Sequence, residues 1–397
     1  MLPLTAVLGP GLLAGLSDDD PAGITTYSVL GAGHGYRLLW VLLLATVALI
    51  IFHGLGARMG VVTGQGLIGL IRHRYGVTVG LAALVTLVVA NLGTAAAEFA
   101  GVAAGSELLG VSRYVAVPTA AVAVSWLVLA GSFHRVEHVL MLLAAVFVAY
   151  VGAGVLAHPD WSAALSGLAT PRMAFGHEET LIVAATVGTT LAPWGLSFIQ
   201  SYAVDKKLTP NDLGYERLDV VVGAVLTGVI GFFVIVACAA TLHASGIEVN
   251  DASDAAHALA PLAGNLASTL FAVGLIGAAL LAAAVLPLST AYSICDFTGS
   301  PAAVDLTFGE ARSFYLSNLA ITAVAAGIVL VPSMPLIPLL VSTQMLTAVL
   351  LVPLLILMTR LGRDPDVMGR YAVGRWVTAA QTITVIAVIA CVAMLLV

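Results

Sequence analysis

The chain has 397 residues, of which 60% are hydrophobic and 9% charged, with a mean hydropathy of +1.07 and a formal net charge of -6. Soluble domains carry about a quarter charged residues, so these values exclude a water-soluble fold. The net negative charge, with no basic cluster to offset it, argues against a nucleic-acid partner, and the composition reads as an all-α polytopic membrane protein.

Apolar stretches long enough to cross a bilayer, about 20 residues each, fall at 4–33, 38–57, 77–105, 114–131, 137–157, 179–203, 218–243, 265–295, 313–331, 336–359 and 373–397, which makes eleven crossings. The opening "MLPLTAVLGP" has neither a basic region nor a small-residue cleavage site before the apolar run continues, so the first segment reads as retained. Of the 15 basic residues, 12 fall on one side: Arg58, Arg72, Arg74, Arg135, Lys206, Lys207, Arg217, Arg312, Arg360, Arg363, Arg370 and Arg375. Arg37, Arg113 and Arg172 fall on the other. The positive-inside rule then predicts a cytoplasmic N-terminus and, with an odd number of crossings, an extracellular C-terminus. The loops 158–177 and 244–261 read as surface connections. Cys238, Cys295 and Cys391 lie in or at the end of apolar segments without metal-ligand spacing, so neither a disulfide framework nor a zinc site is expected.

Two of these segments are interrupted in the same way. The first carries "SDDDPAG", with Asp18, Asp19 and Asp20 before Pro21, Ala22 and Gly23, and the sixth carries Ala192-Pro193-Trp194-Gly195. Proline removes a donor and glycine unwinds easily, so both helices should break near mid-membrane. Matching breaks in two halves point to the binding site of an inverted-repeat transporter. Segments 1–5 (residues 1–157) and 6–10 (residues 178–360) form the two repeats, with 158–177 a connecting loop and 361–397 an accessory eleventh helix. An odd repeat length makes the halves inverted.

A carboxylate at membrane depth is a functional hypothesis by default. Asp20, at the break itself, is the expected ion ligand, while Asp18 and Asp19 are expected to face the aqueous approach and attract cations. In the third segment Asn91, Thr94, Ala95, Glu98, Gly101 and Gly105 recur at steps of three and four, a small and polar stripe whose only charge is Glu98. Thr189 and Thr190 precede the second break and can offer hydroxyls, and in the tenth segment Gln344 shares a face with Thr347. His53, His73, His134, His138 and His243 lie near segment ends, where a surface or interfacial role is expected.

These residues resemble the Nramp divalent-metal transporters. "GPGLLAGLSDDDPAG" is similar to their first helix, where the metal motif is Asp-Pro-Gly-Asn, and "VGTTLAPWG" to their sixth, where it is Met-Pro-His. "NLGTAAAEFAG" and "STAYSICDFTG" extend the resemblance over most of residues 5–360. It implies a LeuT-like repeat of five plus five helices, which agrees with the count above. Asp20 and Pro21 match the motif, but Gly23 replaces its Asn, Ala192 its Met and Trp194 its His. The family's acid pair in the third helix falls on Ala95 and Glu98, and its tenth-helix Gln falls near Gln344, with Pro353 one residue further away than the pattern has it.

These departures have a chemical direction. A thioether favours soft ions, and Mg²⁺ takes oxygen ligands while keeping several waters. A site made of Asp20, Thr189, Thr190 and carbonyls of the broken helices, with extra volume at Gly23 and Ala192, is expected to suit a largely hydrated Mg²⁺, with Mn²⁺ also carried. The same substitutions resemble the Nramp-related magnesium transporters, a branch that implies uptake without protons. A divalent ion gains about 4.6 kcal/mol per 100 mV, enough for uncoupled import. The ion and the bilayer are the expected partners, with no cofactor and no protein partner. A proton-coupled Mn²⁺ or Fe²⁺ symporter, or an amino-acid or Na⁺-coupled transporter of the same architecture, is the alternative. An intramembrane enzyme would need a catalytic pair or a His-rich metal motif at helical spacing.

Overall fold

The computed structural model describes residues 10–130, 149–174, 176–250, 252–304 and 306–395. The first apolar segment is two helices, α1 (Pro10–Asp18) and α2 (Pro21–His34). There follow α3 (Leu39–Thr63), the short α4 (Leu67–Tyr75), α5 (Val77–Leu108), α6 (Arg113–Leu129), α7 (Ala149–Leu156) and α8 (Trp161–Ala169). The sixth segment is again a pair, α9 (His177–Thr190) and α10 (Pro193–Asp205). After it come α11 (Leu213–Thr241), α12 (Ala267–Thr298), α13 (Arg312–Val329), α14 (Leu336–Gly362) and α15 (Arg375–Met394). Among the described residues, eight helical units are long and apolar enough to cross a membrane. α6 is a shorter apolar helix, the first segment is divided between α1 and α2, and most of segment 137–157 lies outside the described residues.

Both breaks arise from the same local chemistry. The residue before a proline is pushed to extended backbone, and Asp20 (φ -80°, ψ 169°) and Ala192 (φ -71°, ψ 137°) both adopt it. Each proline is then the first residue of the next helix, where its missing N–H is no loss. The two starts differ in their caps. Asp20 Oδ1 accepts from Gly23 N at 2.6 Å, whereas Ala192 has no side chain to cap α10.

Small residues let the broken helices sit deep. The backbone of α1 lies against α11, with Gly11 on Val220 and Gly15 on Gly223, and Thr227 donates its hydroxyl to the Gly15 carbonyl. α10 in turn packs closely on α3, where Gly56 and Gly60 face the carbonyls of Leu196 and Gln200. Close glycine contacts of this kind are how membrane helices gain packing without a hydrophobic drive between them. The second broken helix is thereby central, with 94% of its most apolar stretch buried, and α15 is peripheral, with 22%.

The short helix α4, between the second and third apolar segments, has Ile68 and Ile71 fully buried. Two expectations need correction. The loop 158–177 contains α8, and in 244–261 Ala255, Ala256, Ala258 and Leu259 are buried, so neither is a plain surface connection. His53 lies within α3 and is 1% exposed, far from a surface role. The sequence placed it near a segment end because the apolar run was cut at residue 57, and the helix continues to Thr63.

Candidate metal site

The first break gathers oxygen atoms around Gly23. The position a Gly23 side chain would take lies 2.9 Å from the Asp18 carbonyl oxygen, 3.2 Å from Asp20 Oδ1 and 3.3 Å from Thr189 Oγ1. The Asp18 carbonyl ends α1, so it belongs to the negative end of a half-helix, which suits a cation. Thr189 Oγ1 is buried and has no hydrogen-bond partner, so its lone pairs are available. The neighbouring Thr190 is committed elsewhere: its hydroxyl donates to Thr186 O at 2.7 Å and lies 2.9 Å from the Tyr27 hydroxyl. Of the two threonines offered by the sequence, the structure turns Thr189 to the break and uses Thr190 to hold α9 against α2.

The volume expected at Gly23 is absent, because three oxygens already occupy the space where the family's Asn would reach. In this conformation the centre is closed, with Asp18, Asp19 and Asp20 1%, 2% and 3% exposed. Asp18 and Asp19 therefore face no aqueous approach here, and all four of their carboxylate oxygens lack partners. Glu98, on α5, is fully buried, and its carboxyl group interacts with that of Asp20. Among the described residues no three His, Cys, Asp or Glu side chains converge as a resident metal would require. The oxygens that converge over Gly23 are one capped carboxylate, a carbonyl and a hydroxyl, and the Asp18, Asp19 and Glu98 carboxyl groups lie close enough to interact with Asp20.

The stripe on α5 has structural causes for most of its members. Gly101 leaves a notch filled by the Pro21 ring, Gly105 faces Ile276 of α12, and Asn91 Nδ2 donates to Thr290 Oγ1 at 3.0 Å. Thr94 and Thr347 place their hydroxyls 3.5 Å apart across α5 and α14. Gln344 is buried in α14 and its carbonyl abuts Gly188 beside Thr189, but its side-chain amide bonds only to Thr343, at 3.4 Å. Ala192 is buried at the second break, its side chain only a methyl group and its carbonyl accepting from Leu196 N at 3.4 Å. Trp194 begins an aromatic row along α10, its ring 6.3 Å from Phe198, which stacks on Tyr202 at 4.9 Å.

Two polar groups were missed in the sequence. His53 Nε2 has no partner and lies 3.0 Å from the position a Gly195 side chain would take, with Asp18 Oδ1 3.9 Å from the same point. His53, Gly56 and Gly60 stand at helical steps of three and four, so the glycine face of α3 was the available signal. Asp296 accepts from Ser201 Oγ at 3.1 Å and packs against Gly66. With the Ser197–Ser293 contact at 2.7 Å and Ser289 donating to the Trp194 carbonyl at 2.9 Å, it forms a polar seam between α10 and α12.

The family model for natural resistance-associated macrophage protein-like (Nramp) sequences matches residues 11–397. This chain belongs to the Nramp family. Among Nramp relatives, the divalent metal cation transporter MntH of Burkholderia ambifaria is 28% identical over 382 residues, covering 93% of this chain and 83% of that one. MntH 1 of Pseudomonas aeruginosa is 30% identical over 402 residues, covering 95% and 88%. The manganese transporter of Eremococcus coleocola superposes with a TM-score of 0.80 at 19% identity, covering 98% of this chain and 85% of that one. Mhp1, a nucleobase-cation-symport-1 transporter, gives 0.57 at 14% identity, covering 97% and 92%. Both likenesses establish the Nramp fold as LeuT-like and all-helical.

Proposed function

We propose that this Nramp chain carries Mn²⁺ and Mg²⁺ by alternating access, with Asp20, the Asp18 carbonyl and Thr189 as its ligands. The observation that carries this reading is the convergence of those three oxygens over Gly23, in a site where Ala192 supplies no sulfur. Relatives named as divalent metal cation and manganese transporters support Mn²⁺ as a carried ion. The donor set supports Mg²⁺ beside it, because Mn²⁺ and Mg²⁺ both accept hard oxygen ligands and a thioether is what would separate them. The distribution of basic residues supports a plasma-membrane protein with a cytoplasmic N-terminus.

A second reading, in which protons travel with the metal, is favoured by a specific observation. Uncoupled transport was expected because Trp194 and Ala95 remove a histidine and an acid, yet Asp18, Asp19 and His53 are buried around the breaks with unpartnered polar atoms, and Glu98 is buried against Asp20. Charge there must be balanced by a metal ion or by protons. Purified protein in liposomes holding a pH-sensitive dye, under a negative-inside potential, tests both parts. Entry of Mn²⁺ and of Mg²⁺ is the expected result, and exclusion of both rejects the function. Acidification in proportion to metal entry assigns the proton-coupled reading, and metal entry without it assigns the uncoupled one.

A further inference from the structure

Away from the breaks, a cavity of about 290 Å³ lies where α3 ends and α11 and α15 begin. Its polar lining is Arg58, Glu216, Arg217 and Gln381, and its apolar lining includes Ile51 and Val377. Arg217 is exposed and Arg58 half-buried, so the cavity opens outward between the helices. Gln381 is 0% exposed, and neither its amide nitrogen nor its oxygen has a hydrogen-bond partner. Glu216, 5% exposed, also has an unpartnered carboxylate oxygen, with Asp219 and Lys206 the charged groups that act on it most. Neither Arg58 nor Arg217 is in an ion pair with any described residue.

Unsatisfied buried amides are rare because each one costs about 1–3 kcal/mol. A buried glutamine with both ends open, lining one cavity with two arginines that make no ion pair, matches what a lipid headgroup supplies. Basic pockets between membrane helices bind lipid phosphates, and arginine's fork suits phosphate oxygens. The acyl chains would run along Ile51 and Val377 toward the lipid-facing sides of α3 and α15. A carboxylate in the same cavity disfavours a purely anionic headgroup and fits one that also carries an ammonium with N–H donors.

We propose that this cavity is a phospholipid site selective for a phosphoethanolamine headgroup, with the phosphate on Arg58 and Arg217, the ammonium on Glu216 and the Gln381 amide bonding to the phosphodiester or glycerol oxygens. The site is independent of the metal ligands, and none of its residues belongs to them.

The test is native mass spectrometry of the detergent-purified full chain, mixed in turn with phosphatidylethanolamine, phosphatidylglycerol and phosphatidylcholine of identical acyl chains. Phosphatidylethanolamine should be retained in preference to both others. Arg58→Gln and Arg217→Gln should each weaken retention about fivefold, the effect of roughly one kcal/mol per basic residue. Glu216→Gln should erase the preference over phosphatidylglycerol. Gln381→Leu should lower retention while thermal stability holds or rises, an outcome that a merely buried glutamine would not give. Equal retention of the three lipids, preference for another headgroup, or retention unaffected by the arginine variants would overturn the proposal. Displacement of the lipid by inorganic phosphate would make this a free-anion site and overturn it as well.

Discussion

The ring of Pro21 sits in the notch that Gly101 leaves on α5, so the start of α2 is seated against the helix that carries Glu98. A β-carbon at Gly101 would overlap the ring, and overpacking of this kind costs about 1–3 kcal/mol. Gly101→Ala should therefore push Pro21 and the adjoining Asp20 away from α5. We expect a lower midpoint of thermal unfolding in detergent and slower metal uptake. An unchanged midpoint with full uptake would mean that α2 has room to move aside.

Thr189 and Thr190 are adjacent in sequence and opposite in role. Thr189→Val removes an unpartnered hydroxyl from the oxygen set, so the half-saturating metal concentration should rise with stability unchanged or slightly higher. Thr190→Val removes the hydroxyl contact with Tyr27 and should destabilise the fold by about 1 kcal/mol with little change in metal affinity. Paired uptake and thermal-shift measurements on the two variants check the assignment, and a reversed pattern would exchange their roles.

Ala192 stands where a sulfur ligand would define a softer site. Ala192→Met should raise Mn²⁺ or Cd²⁺ uptake relative to Mg²⁺, because a thioether adds affinity for soft ions and little for a hard one. Competition between labelled Mn²⁺ and unlabelled Mg²⁺ in liposomes reads this ratio directly. A ratio equal to that of the native chain would show that residue 192 does not reach the ion.

His53 distinguishes packing from function. Its Nε2 is buried without a partner beside Gly195. Removing an unsatisfied polar group stabilises by roughly 1–3 kcal/mol when the space is refilled, so His53→Leu should be at least as stable as the native chain. If the imidazole serves the ion path, the same variant transports several times more slowly. Full transport by a stabilised His53→Leu chain would make His53 a packing residue.

Much of this architecture was legible because the membrane imposes strong rules. Apolar length gave the spans, and Asp20-Pro21 and Ala192-Pro193 gave the breaks, since a proline acts on its own neighbour whatever the tertiary context. The stripe on α5 was also visible, although its reason was not: Gly101 answers to Pro21, 80 positions away in the chain. Tertiary direction is where reading the sequence failed. Thr189 and Thr190 are chemically alike, and only the position of Tyr27 separates them. Gly23 suggested open space, but whether space stays open depends on what packs over it, and here the Asp18 carbonyl and Thr189 fill it. Arg37, read as a loop charge, reaches the buried Glu179 at 2.6 Å and ties the connection after α2 to the start of α9.

Asp20→Asn tests the central claim most directly, because asparagine still caps a helix and the substitution removes only the charge. Uptake of labelled Mn²⁺ into liposomes should be followed for the native and Asp20→Asn chains, with Mg²⁺ added as competitor. The oxygen-only site predicts that Mg²⁺ inhibits native uptake at concentrations within about tenfold of those for unlabelled Mn²⁺, a gap of about 1.4 kcal/mol. It also predicts that Asp20→Asn, folded and monodisperse, loses uptake. Native uptake indifferent to a large excess of Mg²⁺, together with transport retained by Asp20→Asn, would contradict it.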